Sequence, residues 1–217
     1  VVEGTSFLTR LMRRYPGVLQ DLSQQSVPDY HASLITKMQA TLADCDERDI
    51  AMAEMRHTRN KSALSIALAD LANHWDVEQV TRALSDLADA SVSAALDFLL
   101  QEAVHAKHLA SFSRDGLVVL ALGKHGGQEL NYSSDIDFVV YYTPDALPLA
   151  PNVDMRKFHI TLVQDLTAML QNVTQDGFVF RVDLRLRPDP GATPLTVSVS
   201  AALGYYESMG QNWELVS

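Results

Sequence analysis

The stretch LVVLALGKHGGQELNYSSDIDFVVYY, residues 117–142, decides the fold that we predict for this chain. Its first part, LVVLAL, is a short apolar run rich in β-forming residues and predicts a buried strand. Residues 135–142 predict a second strand, which is apolar beyond the two acids near its start. Because solvation alone does not explain acids at the end of a buried strand, this stretch indicates a functional site on a β-sheet.

The two acids, Asp135 and Asp137, are the first candidate catalytic residues. Residues two apart in a strand point to the same face, so we expect both carboxylates to converge. Two bare carboxylates placed side by side repel and raise each other's pKa. A divalent cation removes that cost, and hard oxygen ligands with open positions suit such a cation. The pair therefore predicts a site for Mg²⁺ or Mn²⁺.

A third acid lies in FVFRVDLRL, residues 178–186, whose alternation predicts a third strand. A helix is predicted before it, over residues 153–175, and another after the loop RPDPGATP, over residues 198–210. In the third strand, Asp183 shares a face with Arg181 and Arg185. A carboxylate on a strand next to Asp135 and Asp137 is able to complete a two-metal site. Asp183 is therefore the third candidate catalytic residue and metal ligand.

The glycine-rich segment between the first two strands is a candidate phosphate-binding loop. Glycines allow backbone N–H groups to approach phosphates closely, and a lysine adds a positive charge. The alternative is a flexible turn without a ligand. The candidates in this segment are Gly123, Lys124, Gly126 and Gly127, and His125 is a further residue placed to touch a phosphate.

Three more residues are candidates for nucleotide or phosphate binding. Ser134 directly precedes the first acid of the Asp-x-Asp pair. Arg185 and Arg187 are two apart in the predicted third strand, so both are able to face one phosphate-rich ligand. An equally good interpretation is that these arginines pair with Asp183 or Asp189.

The first half of the chain has a different amino-acid composition. Residues 1–112 contain only two glycines and two prolines and are rich in good helix formers. Apolar residues recur at spacings of three and four over residues 47–73, which predicts a helix. Asp76, with Gln79 three positions later, predicts an N-cap for a long helix ending at about Leu109. The fold class is therefore α+β: a helical region over 1–112, then a mixed β-sheet with flanking helices over 113–217.

Composition excludes several classes of protein. The net charge is −10 and the isoelectric point is about 5.0, so we expect no nucleic-acid partner. The single cysteine, Cys45, excludes an intramolecular disulfide and is typical of a reducing cytoplasm. No apolar run reaches the roughly 18 residues of a membrane-spanning helix.

At these residues the chain resembles the bifunctional glutamine synthetase adenylyltransferase/adenylyl-removing enzymes, within the nucleotidyltransferase superfamily that includes DNA polymerase β. GKHGGQELNYSSDIDFVV resembles the motif of the first of that family's two nucleotidyltransferase domains. The segments SFLTRLMRRYPGVL, RVDLRLRPDPGATPL and YYESMGQNWE also resemble first-domain segments. The resemblance implies a nucleotidyltransferase-type sheet, with Asp135, Asp137 and Asp183 as catalytic metal ligands.

The resemblance also implies an activity and its partners. The first domain of the family removes AMP from an adenylylated tyrosine of glutamine synthetase, using phosphate and releasing ADP. The implied partners are glutamine synthetase, an adenine nucleotide, phosphate and, through parts outside this chain, a PII-type signalling protein. Since the family continues beyond the point where WELVS ends this chain, we expect a C-terminal truncation. Gly123 and Lys124 stand where many superfamily members have a Gly-Ser phosphate clamp.

Two other functions remain open from the sequence. One is adenylyl transfer from ATP to a protein or another acceptor. The other is a regulatory or binding module with a vestigial site, whose helical half docks a protein partner. Metal dependence of nucleotide binding separates the enzymes from the module.

Overall fold

A computed structural model describes residues 6–209, which form eight helices and four strands. The helices are α1 (Ser6–Arg14), α2 (Gly17–Leu22), α3 (Val27–Ala43), α4 (Arg48–Leu71), α5 (Val77–His105), α6 (Gly123–Gly126), α7 (Met155–Gln171) and α8 (Val199–Ser208). The strands are β1 (Leu117–Leu122), β2 (Ile136–Tyr142), β3 (Val182–Asp183) and β4 (Thr196–Ser198). The predicted α+β class is confirmed.

The first half of the described chain is helical, as predicted. The capping box of α5 is present, because the Asp76 side chain accepts from the Gln79 N–H and the Gln79 side chain accepts from the Asp76 N–H. α5 ends at His105, before the expected end at Leu109. Between residues 6 and 112 the only strand-like contact is an isolated bridge from Leu109 to Leu149. The expectation for residues 1–5 lies outside the described residues.

The sheet is mixed, and β2 is its centre. β1 runs antiparallel along one edge of β2, pairing Leu117 with Tyr142 and Leu122 with Asp137. β3 and β4 run parallel to β2, β3 at its start and β4 at its end. Since β1 occupies one edge of β2, the two short strands share the other.

The third strand is much shorter than predicted. Of residues 178–186 only Val182–Asp183 are strand. Before it, the N–H groups of Val179 and Phe180 donate to the carbonyl of Leu170 at the end of α7. After it, the Asp183 carboxylate accepts the backbone N–H of Arg185 at 2.8 Å, which turns the chain. Alternation alone therefore overestimated this strand.

Smaller corrections concern the neighbouring elements. β1 is an edge strand rather than a buried one, with Val118 39% and Leu120 46% exposed. The glycine-rich segment contains the one-turn helix α6. α7 is shorter than the predicted 153–175, and α8 is shorter than the predicted 198–210, whose last residue lies outside the described range. β4 had no counterpart in the prediction.

β2 is buried on both faces, which explains its nearly continuous apolar sequence. On one face, Ile136, Phe138 and Val140 join a core shared with α3, α4, α5 and α7. On the other face, Val139 and Tyr141 pack with Ala202 of α8. The predicted boundary at residue 112 falls between α5 and β1, although the main core contains residues from both sides of it.

Within residues 6–209 we find no helix that is both long enough and apolar enough to span a membrane.

Candidate active site

Asp137 and Asp183 lie side by side on neighbouring strands of the sheet. They are direct partners in the parallel pairing of β2 and β3, where neighbouring strands lie about 4.8 Å apart. Gly123 lies against the same carboxylate, since a Cβ at that glycine would sit 3.2 Å from Oδ2 of Asp137. The φ of Gly123 is +55°, a left-handed value that favours glycine. Three of the predicted site residues therefore meet at the start of β2.

The pKa values of Asp137 and Asp183 are shifted in opposite directions. Burial raises the pKa of Asp137, and the charges of Asp183 and Asp135 raise it further. Hydrogen bonds from Arg185 lower the pKa of Asp183, with Nε and Nη2 lying 2.9 and 2.5 Å from its Oδ2. Asp137 is therefore the carboxylate of the site that gains most from a nearby cation.

Asp135 lies just before β2 and is exposed. Nε of Arg181 donates to its Oδ1 at 2.5 Å, and Nη2 of the same arginine donates to the Ser133 carbonyl at 2.5 Å. The sequence predicted that the carboxylates of Asp135 and Asp137 point to the same place. The structure shows in addition that Arg181 is hydrogen-bonded to Asp135. Arg181 was not a candidate, because no local pattern links residues 46 positions apart.

The oxygen donors present fit Mg²⁺ or Mn²⁺ chemically, since three carboxylates from neighbouring strand ends are hard ligands. As arranged, however, no three acidic, histidine or cysteine side chains among residues 6–209 form a ready cluster of metal ligands. Instead, Asp135 accepts a hydrogen bond from Arg181, and Asp183 accepts hydrogen bonds from Arg185. A cation at this place would share Asp135 with Arg181 and Asp183 with Arg185, or would compete with these arginines for the acids, and the metal site stays a prediction.

The two candidate arginines differ in their surroundings. Arg185 pairs with Asp183, as the alternative interpretation allowed, while 83% of its side chain remains exposed. Arg187 donates to the carbonyls of Leu184 at 2.8 Å and Pro190 at 2.9 Å, which holds the loop after β3 together. Of the two, Arg185 is the better placed to meet a ligand from solvent.

The remaining candidates line the turns beside the acids. Lys124 is exposed in α6, whereas Oγ of Ser134 accepts the Asn131 N–H at 3.2 Å and so closes the turn before β2. Gly126 packs on the end of β1, because a Cβ there would lie 2.6 Å from the Ala121 carbonyl oxygen. Gly127 has room, its nearest neighbour being 3.5 Å from such a Cβ. Phosphate binding by these residues stays a prediction.

We expect Gly126→Ala to destabilise the fold by about 2 kcal/mol, because the added methyl overlaps a backbone oxygen that cannot move alone. Gly127→Ala is the matched control and should change the free energy of unfolding by less than about 0.5 kcal/mol. Urea denaturation of both variants measures the difference. If both variants changed the free energy of unfolding equally, the backbone at Gly126 would be able to move away from β1 without cost, contrary to this prediction.

His125 does not point to a phosphate. Its side chain is 3% exposed, and Nε2 lies 2.8 Å from Oδ1 of Asp89 in α5. Tyr132 makes a second link to the helical region, donating its hydroxyl to Oδ2 of Asp70 at 3.1 Å. The sequence missed both acids, because they lie in helices far from the motif. These contacts fix the glycine-rich segment and the turn before β2 on the helices.

Comparison with known proteins shows the family of the chain. The family model for glutamate-ammonia ligase adenylyltransferase matches residues 1–217. The chain is 44% identical over 220 residues to a bifunctional glutamine synthetase adenylyltransferase/adenylyl-removing enzyme of Rhodopseudomonas palustris (strain HaA2), and 45% identical over 222 residues to one of Bradyrhizobium diazoefficiens. Each match covers 99% of this chain but 22% of the relative. The chain therefore belongs to the glutamate-ammonia ligase adenylyltransferase family.

Proposed function

We propose that this chain is the adenylyl-removing part of such an enzyme and cleaves AMP from an adenylylated tyrosine of glutamine synthetase. The bond from the tyrosine oxygen to phosphorus breaks with its electron pair on that oxygen, which then takes up a proton. An oxygen of inorganic phosphate forms the new bond to phosphorus, and the product is ADP. The observation that carries the proposal is the facing pair Asp137 and Asp183 beside Gly123, within a first-domain type of motif.

The residues of the site have distinct roles in this proposal. Asp137 and Asp183, joined by Asp135, would hold Mg²⁺ or Mn²⁺, which neutralises charge on the phosphoryl group during transfer. Arg185, exposed beside Asp183, and Lys124 in α6 are the donors for the incoming phosphate. Gly123 keeps the backbone close to Asp137 and leaves no side chain between that acid and the substrate. Position and charge, rather than covalent catalysis, account for the rate.

The partners follow from the same proposal. They are adenylylated glutamine synthetase, phosphate and the adenine nucleotide that is released, with the cytoplasm as the place where they meet. A PII-type protein would act through parts of the enzyme outside these 217 residues. The names of the relatives contain both the adding and the removing activity, so the direction of the reaction is the point to test.

The decisive experiment incubates the chain with adenylylated synthetase, phosphate and Mg²⁺ and measures the mass of the synthetase over time. We expect loss of AMP that requires both phosphate and metal, with ADP appearing in equal amount. A parallel reaction with unmodified synthetase and ATP tests the opposite direction. Addition of AMP without removal would contradict the proposal, and binding of the synthetase without either reaction would favour the vestigial module.

A further inference from the structure

A cavity of about 670 Å³ lies between the helical region and the loops that precede the sheet strands. Its walls come from α1, α4, the turn at residues 132–134 and the segment 174–181. This volume falls within the range of small-molecule sites, about 300–1,000 Å³. None of the carboxylates proposed for catalysis lines it.

The described lining of this cavity carries an excess of positive charge. It contains four arginines and a single acid, Asp176. Arg14 pairs with Asp176, and Arg181 is held by Asp135 outside the cavity. Two arginines, Arg10 and Arg59, remain without a carboxylate partner among residues 6–209.

Arg59 is held in place without a carboxylate partner among the residues that the structure describes. Its guanidinium lies 5.6 Å from the ring centre of Phe7 and 5.8 Å from that of Phe178, and Nη1 donates to Oδ1 of Asn60 at 3.2 Å. Burial and the charge of Arg10 lower the pKa of Arg59. A fixed, partly dehydrated cation next to a second cation costs free energy unless an anion is present.

Arg10 approaches the same cavity from another element. It is exposed on α1, and its guanidinium lies 5.7 Å from the ring centre of Phe7, on which Arg59 also stacks. The two guanidinium groups therefore belong to different helices and contact the same aromatic ring. A tetrahedral phosphate accepts hydrogen bonds from donors in several directions, whereas a carboxylate accepts them in one plane.

We propose that this cavity is a second ligand site, which binds a small phosphorylated molecule carrying two negative charges through Arg10 and Arg59. The two charges match the two arginines that lack a partner among the described residues. The cavity reaches Ser133, Ser134 and Arg181 beside Asp135, but Arg10 and Arg59 lie on α1 and α4 rather than in the strands that carry the acids. Binding there requires neither a metal nor the catalytic carboxylates.

The test is calorimetric titration of the 217-residue chain with inorganic pyrophosphate in metal-depleted buffer. We expect binding at a site that Arg10→Gln and Arg59→Gln each weaken at least tenfold, because each removes a charge-assisted contact. Arg82→Gln is the matched control, since Arg82 is exposed on α5 and pairs with Glu78. Succinate, a dicarboxylate that carries two negative charges, should bind at least tenfold more weakly than pyrophosphate.

Further variants separate this site from the proposed active site. Lys124→Gln removes a donor that we propose for phosphate in the active site, so in this background the remaining pyrophosphate binding should still be weakened at least tenfold by Arg10→Gln and by Arg59→Gln, even if the adenylyl-removing function proves wrong. Absence of binding, or binding that Lys124→Gln weakens and Arg10→Gln does not, would overturn the second site. Tighter binding of succinate would overturn its phosphate specificity. Should Arg59→Gln unfold, which circular dichroism would reveal, the exposed Arg10 alone decides the outcome.

Discussion

Replacing Asp137 with asparagine is expected to lower the rate of AMP removal on the order of a thousandfold, or about 4 kcal/mol of transition-state stabilisation. The reason is that burial raises the pKa of Asp137 and the charges of Asp183 and Asp135 raise it further, so this carboxylate gains most from a bound cation. The measurement is the initial rate of AMP release from adenylylated synthetase at saturating Mg²⁺. A loss of less than tenfold would remove Asp137 from the catalytic set.

The same substitution should stabilise the metal-free protein. Because the folded-state pKa of Asp137 is raised, the folded state holds this proton more tightly than the unfolded state does. Its contribution to stability is therefore fully present below the unfolded pKa and is lost as pH rises through the folded pKa. At pH 7 the ionised carboxylate disfavours the fold, so Asp137→Asn should raise Tm at pH 7, and the gain should shrink toward acid pH.

Asp183→Asn provides a control of opposite sign. The pKa of Asp183 is lowered by Arg185, so this acid contributes stability that is present above its unfolded pKa and is lost as pH falls through its folded pKa. We therefore expect Asp183→Asn to lower Tm at pH 7, where Asp137→Asn raises it. Equal shifts in both variants would contradict the opposite electrostatic environments of the two facing acids. Thermal scans at several pH values in metal-depleted buffer measure this difference.

The features that the sequence predicted are those that a local pattern encodes. β2 is recognisable because both of its faces are buried, so the run from Phe138 to Tyr142 is apolar throughout. The start of α5 is recognisable because Asp76 and Gln79 satisfy N–H groups within one turn. The carboxylates of the site were found for the same reason, since Asp135 and Asp137 stand at the beginning of that strand.

The features that the sequence did not predict depend on contacts between distant residues. β4 is three residues long and exists by pairing with β2, where Oγ1 of Thr196 donates to the Val140 carbonyl at 2.6 Å. The bonds of His125 to Asp89 and of Arg181 to Asp135 join residues 36 and 46 positions apart. The spacing of apolar and polar residues along the sequence does not indicate such distant pairs. The orientation of the site on the helical region, and the arginine that holds Asp135, were therefore beyond the reach of sequence patterns.

Arg56 is the clearest example of such a distant contact. It lies in α4 and is completely buried. Its guanidinium donates to three carbonyls: to Gly177 at 2.8 Å, to Asn172 at 2.6 Å and to Met52, within its own helix, at 2.8 Å. Burial lowers the pKa of this arginine, while the charge of Asp176 acts in the opposite direction. One side chain thus joins the helical region to the segment that leads into β3.

We expect Arg56→Met to destabilise the protein by about 3–5 kcal/mol, because it removes the three hydrogen bonds that a completely buried guanidinium donates to carbonyls, while keeping most of the side-chain volume. The control is Arg82→Met at an exposed position of α5, which should change the free energy of unfolding by less than about 0.5 kcal/mol. Urea denaturation at pH 7 measures both values. A cost below about 1 kcal/mol for Arg56→Met would mean that water replaces the guanidinium at these carbonyls. Hydrogen exchange at residues 172–177 should accelerate in Arg56→Met before it does elsewhere, because Asn172 and Gly177 lose their bonds to α4, while only Asp176 remains held by Asn60 and Arg14.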